Sequence, residues 1–157
     1  MDTTWAIAAA ICVTLSLPLY LHGLWVILQS EVVTWSVLMV HLRSIGIGLV
    51  LTLVPVIGWM LPQLLSGRFS GLIGVHVFLA LQSFAFLAIA LWGIVPIFRR
   101  KRDHGLYRDP SQDIGIDAID ERMPIWRRRL RIGVFGYLVL WILSYLTGLA
   151  ILVQMYL

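Results

Sequence analysis

At 157 residues, with 13% charged side chains where a water-soluble domain carries about 25%, and a mean hydropathy of +0.90, the composition excludes a water-soluble fold. Ten of the twelve basic and six of the eight acidic residues fall between Phe98 and Arg131, leaving two of each sign for the rest of the chain. The net charge of +4 and the pI near 9.7 therefore report the placement of one loop, and no nucleic-acid partner is expected.

The first apolar run extends from Trp5 to Leu28. The residues before it carry Asp2 and no Lys or Arg, so it reads as a retained span and not as a cleaved leader, which needs a basic start. Cys12, the single cysteine, lies inside this run, which excludes an intrachain disulfide, a CxxCH haem attachment and a thiolate cluster. The second run, Trp35 to Leu61, is interrupted only by His41 and Arg43 near its start, and Pro62, Gln63, Ser66, Gly67 and Arg68 mark the turn that follows. The third run is Leu72 to Phe98 and the fourth Ile132 to Met155. Each is long enough for the roughly 20 residues that a helical span needs. The expected fold is all-α: a polytopic four-helix membrane bundle forming one membrane domain over residues 1–157. Trp5, Trp25, Trp35, Trp59, Trp126 and Tyr156 stand near the ends of these runs, where amphipathic rings favour the membrane interface.

Between the third and fourth runs lies a charged loop over residues 99–131. Arg99, Arg100, Lys101 and Arg102 open it, and Arg127, Arg128, Arg129 and Arg131 close it. The positive-inside rule makes this loop cytoplasmic and puts both termini outside, with Arg68 the one basic residue on the far side. The acids from Asp103 to Glu121 lack the spacing of a calcium loop, so a solvated loop is expected. Its end, Ala118 to Arg131, reads as an interfacial helix in which Ile125 and Trp126 dip into lipid and the Arg run meets anionic headgroups, each cation worth about 1 kcal/mol, with the four cations that open the loop meeting headgroups as well. Docking of a protein partner on the same surface is the alternative.

Polar groups inside the spans carry the functional question, because their burial in lipid is costly. A turn centred near Glu31 or Val32 makes His22 and His41 level on neighbouring helices, the disposition that a bis-imidazole b-type haem requires. Arg43, on another face of its helix, would serve a haem propionate or a lipid phosphate. His41, Ser44, Gly48, Thr52, Pro55 and Trp59 share one stripe, and Thr14, Pro18, His22, Trp25 and Gln29 another. Stripes of small and polar residues are also what helix packing in lipid requires, so interhelical hydrogen bonding is the simpler reading of both histidines. His76 has no histidine partner at its depth. Gly133, Tyr137, Ser144, Thr147 and Gln154 give the fourth span a packing face. No Asp or Glu occurs in any span, which argues against a transport path, although a homo-oligomer would supply a pore that one chain lacks.

The runs VHLRSIGIGLVLTLVPVIGWMLP from Val40 to Pro62, GVHVFLALQSFAFLAIALWGIVPIFRRKRDHGLYRDP from Gly74 to Pro110 and WRRRLRIGVFGYLVLWILSYLTG from Trp126 to Gly148 resemble small four-span membrane proteins of haloarchaea with no assigned function. That resemblance implies a multi-pass plasma-membrane protein and carries over no catalytic residue. His41 and His76, near the starts of their spans, give a looser likeness to four-helix b-type cytochromes. The expected function is a non-enzymatic accessory or structural membrane subunit, alone, as a homo-oligomer or in a larger complex. Haem-mediated electron transfer through His22 and His41 is the alternative, and a small transporter or oligomeric channel a further one.

Overall fold

The computed structural model describes residues 2–30, 33–67, 71–107 and 119–156. Residues 108–118 of the charged loop, Ala118 and Arg108 among them, and Arg68 of the Pro62 turn lie outside the described residues. All regular structure among the described residues is helical: α1 Asp2–Gln29, α2 Trp35–Pro55, a π-helical turn Val56–Met60, α3 Leu61–Leu65, α4 Gly71–Asp103 and α5 Met123–Tyr156. Four stretches, Thr3–Gln29, Trp35–Leu65, Gly71–Asp103 and Met123–Met155, are long and apolar enough to cross a membrane. The chain has the build of a multi-pass membrane protein.

The π turn follows from Pro55. Without an N–H, proline cannot close its own i→i−4 bond and its ring crowds the preceding turn; the ladder widens, so that the Leu61 amide reaches the Val56 carbonyl, five residues back. The helix therefore continues through Trp59 to Leu65 instead of stopping near Leu61, and Gly67, at φ +79°, terminates it.

The chain divides into two compact units. The first comprises residues 1–76 and 145–157 and is built on the antiparallel α1–α2 pair. A Cβ at Gly48 would stand 2.8 Å from Cε1 of Tyr20, and one at Gly23 would stand 3.0 Å from Cδ1 of Ile45 and 3.3 Å from Cβ of Ser44. Ala6, Ala9, Ser16, Tyr20 and Gly23 form the packed face of α1; Ser44, Gly48, Thr52 and Pro55 form that of α2. The α2 stripe is the expected one. On α1 the stripe of Thr14, Pro18, His22, Trp25 and Gln29 is exposed instead, because the neighbouring face offers Ala, Ser and Gly, which let the backbones approach more closely. From elsewhere in this unit, Tyr145 hydrogen-bonds Thr14 (3.0 Å) and the His76 ring lies on Gly148.

The second unit, residues 77–144, is the antiparallel pair formed by α4 and the first two thirds of α5. Gly133 lies on the backbone of Ala90, Gly136 on the ring of Phe86, and a Cβ at Gly93 would stand 2.6 Å from the Leu130 nitrogen. Ser83, Ala90, Gly93 and Ile97 line α4, facing a stripe on α5 of Met123, Trp126, Gly133, Tyr137, Trp141 and Ser144. Ile97, Met123 and Trp126, with Ile94, Ile119 and Leu130 against them, close the charged end.

Two expectations are corrected here. The part of the expected interfacial helix over Met123–Arg131 belongs instead to the last span: residues from Met123 onward are in α5, since a run of arginines is a good helix former and the chain has no reason to break at Ile132. Trp126 does not dip into lipid but is buried at 9% exposure beside Ile97, because it falls three residues after Met123 on the inner face; Ile125 is exposed as expected.

Candidate functional site: the histidine pair and the basic cap

Hydrogen bonds across α1 and α2 use the polar groups of that pair in sequence. His41 donates from Nδ1 to the carbonyl oxygen of Gly23 (2.8 Å), since a carbonyl can only accept. One step away, His22 Nδ1 and Ser44 Oγ are 2.9 Å apart. Deeper, the Tyr20 hydroxyl meets Thr52 Oγ1 (3.2 Å), which also points to Gly48 O (3.0 Å) and Ser16 Oγ (3.2 Å), while Ser16 donates to Val13 O (2.6 Å). Ser16, Tyr20 and Thr52 are all buried. Sequence reasoning singled out neither Ser16 nor Tyr20; the signal was their i, i+4 spacing on the helix face opposite Gly48 and Thr52.

The two histidines are brought to one region but are not level. Contacts of Gly23 with Ser44, Tyr20 with Gly48 and Ser16 with Thr52 fix the register of the pair, placing His22 opposite about Ile45 and His41 opposite about Val26. The offset is about four residues, or roughly 6 Å along the axis. It arises because the turn is centred nearer Val33 and Thr34 than Glu31. Direct contact at Gly23 brings α1 and α2 together beside the histidines. His22 is exposed, His41 half-buried and Arg43 exposed. Both Nδ1 atoms are engaged within the pair, leaving each Nε2 for another partner.

In the second unit the basic residues sort into two groups. Asp120 organises the end of α4: its Oδ2 pairs with Arg100 Nε (3.0 Å), and its Oδ1 accepts from the Arg122 amide (2.9 Å) and lies 3.4 Å from Arg122 Nε. The Met123 amide bonds Asp120 O (2.9 Å), so Asp120 opens α5 as a capping residue does. The sequence carried that signal in Asp120 followed by Pro124 in the first turn. The bond from the Arg122 amide, followed by the Arg122 side chain and the Arg122 and Arg100 charges, holds the Asp120 carboxyl below its ordinary value against the opposing effect of desolvation.

The end of α4 closes in a Schellman motif. Leu106 N bonds Lys101 O (3.1 Å), Gly105 N bonds Arg102 O (3.0 Å), and Gly105 takes φ +69°. His104 donates from Nδ1 to Arg100 O (2.9 Å). Tyr107 folds back on Phe98 with ring centroids 5.5 Å apart, Lys101 Nζ lies 5.8 Å from the Tyr107 ring, and burial raises the Tyr107 phenol above its ordinary value. Arg102 lies 3.7 Å from Asp103. Just before α5, the Arg122 guanidinium stacks over Trp126 (5.3 Å), and on α5 that of Arg129 stacks over Trp92 (5.0 Å). Arg99, Arg128 and Arg131 are exposed and have no ion-pair partner among the described residues, and Arg127 is half-buried.

No group of three or more His, Cys, Asp or Glu side chains suited to a metal ion occurs among the described residues. No curated protein and no solved structure matches the chain. The family model described as a domain of unknown function, DUF7321, matches residues 2–157, so this multi-pass helical chain belongs to that family.

Proposed function

We propose that the protein is a non-enzymatic integral membrane subunit of the plasma membrane, whose intramembrane polar residues serve to join its helices. The observation that carries this reading is the use of His41, His22, Ser44, Tyr20, Thr52 and Ser16 in hydrogen bonds across one helix pair. In lipid there is no hydrophobic drive between apolar helices, so small residues and such bonds supply the specificity of packing. The concentration of cations at the α4–α5 connection supports an orientation with this connection cytoplasmic and both termini outside. Reporter fusions at Asp2, Gln112 and Leu157 test it: activity of an exported reporter is expected at both termini, and export of the Gln112 fusion would reverse the orientation.

A bis-histidine haem is the second reading, favoured by one observation. A ligating histidine commonly donates its other ring N–H to a carbonyl or hydroxyl, as His41 does to Gly23, which leaves Nε2 for a metal. For His22 to do the same, its Nδ1 must donate to Ser44. Because α1 and α2 touch at Gly23, the porphyrin would lie along the exposed side of the pair, with Arg43 as a candidate propionate partner. Absorption spectra of protein purified from haem-replete cells, oxidised and dithionite-reduced, decide between the readings. Sharp reduced α and β bands lost in His22→Ala or His41→Ala would make it an electron-transfer subunit; a featureless spectrum supports the packing role.

A further inference from the structure

The α4–α5 register places the two basic clusters at different depths. Contacts of Gly93 with Leu130, Ala90 with Gly133 and Phe86 with Gly136 make Arg131 level with about Trp92 and Arg128 with about Ile94 or Val95. Arg99, where the basic end of α4 begins, is seven residues from Trp92, about 10 Å at the helical rise. The cations of α5 thus stand beside the apolar body of α4, one to two turns deeper than the α4 cluster.

The two clusters also differ in what satisfies them. At the α4 end, Arg100 is held by Asp120, Lys101 by Tyr107, and Arg102 has Asp103 within 3.7 Å, while Arg99 alone of the four is exposed and without an ion-pair partner among the described residues. Of the deeper cations, Arg129 is held over Trp92, whereas Arg128 and Arg131 are exposed and without an acidic partner among the described residues. They are three residues apart, on one face of α5. That face is otherwise apolar and exposed, with Ile125 on one side of the arginines and Ile132 and Phe135 on the other. Two adjacent guanidiniums set in an exposed apolar surface are matched by an anion that itself carries apolar chains.

We propose that Arg128 and Arg131 form a binding site for the phosphate of an anionic phospholipid, whose acyl chains lie along Ile132 and Phe135. The proposal rests on the membrane-spanning reading above and narrows the lipid contact to two of the cations that the sequence offers. Arginine suits the role because its planar fork donates to two phosphate oxygens at once.

Electron spin resonance on the full-length protein reconstituted with spin-labelled phosphatidylglycerol or spin-labelled phosphatidylcholine tests it. The wild type is expected to favour phosphatidylglycerol in its motionally restricted shell, with the preference falling about fivefold for each of Arg128→Gln and Arg131→Gln, the factor equivalent to about 1 kcal/mol per cation. The charge-retaining pair Arg128→Lys and Arg131→Lys should keep most of the preference, which separates loss of the site from loss of the fold. Arg99→Gln with Arg102→Gln should leave it unchanged. Equal preference for the two lipids in the wild type, or an equal loss in the Arg99/Arg102 variant, would overturn the site. Absence of any restricted shell with either label would instead overturn the membrane-spanning reading.

Discussion

His41 on α2 donates from its Nδ1 to the carbonyl oxygen of Gly23 on α1 at 2.8 Å, tying a side chain of one helix to the backbone of the other at a point where a glycine lets them meet. Carbonyl oxygens have a second lone pair, so this bond adds to the helical ladder without breaking it. Bonds of this kind between membrane helices are worth about 0.6 kcal/mol on average and up to about 1.7. His41→Ala should therefore destabilise the protein by that order. His22→Ala and Ser44→Ala, which remove two ends of one bond, should be non-additive with each other in a double-mutant cycle, and unfolding by steric trapping in bicelles measures both. Full additivity of the second pair would show that the 2.9 Å contact contributes nothing.

Glycines on α2 and α5 should respond oppositely to the same substitution. Gly133→Ala would place its Cβ on the backbone of Ala90, which cannot rotate away, so α4 and α5 must separate at a cost of about 1–3 kcal/mol. At Gly46 a Cβ meets nothing within 4 Å, and Gly46→Ala should be neutral or stabilising by up to about 1 kcal/mol through helix propensity. Thermal unfolding in one detergent compares the two. A similar loss at Gly46 would point to a helix contact outside the single chain.

Four helices long and apolar enough to cross a membrane are legible in the sequence because hydropathy and charge segregation are properties of the chain itself. The outer ends of α4 and α5 are not: charge alone would end the spans at Phe98 and Ile132, yet Arg and Lys are good helix formers, and the Gly105 turn and the Asp120 cap are what bound these helices. The α2 stripe from Ser44 to Pro55 is readable from spacing. The packed face of α1 is not, since the stripe from Thr14 to Gln29 and the face of Ala6, Ala9, Ser16, Tyr20 and Gly23 both have small or polar residues and only close approach to Gly48 and Ser44 selects between them. Level placement of His22 and His41 failed for a simpler reason, an error of about two residues in the centre of a turn, which antiparallel geometry doubles.

Gly105 is a sharper test of where α4 ends. At φ +69° an L side chain is strained by roughly 1–2 kcal/mol, so Gly105→Ala should loosen the Schellman closure formed by Leu106 and Lys101. Faster hydrogen exchange is expected at Gly105 and Leu106, with the amides near Ala90 unaffected. Protection that persists at Leu106 would mean that Tyr107 packing on Phe98, not the glycine, holds the turn.

The Asp120 cap makes the α4–α5 connection sensitive to acid. Its carboxyl is lowered in the folded state, first by the Arg122 amide, so the folded protein binds that proton less readily than the unfolded chain. The stabilisation is then complete above the ordinary carboxylate value near 4 and is lost as pH falls through the lower, folded value. In an NMR titration the Arg122 amide resonance should report this step below pH about 4, while Asp120→Asn should abolish it. Arg100→Gln should move the step upward only in part, because the guanidinium of Arg100 acts after the amide and side chain of Arg122. If Arg100→Gln restored an ordinary titration, the 3.0 Å ion pair and not the backbone cap would be what holds Asp120.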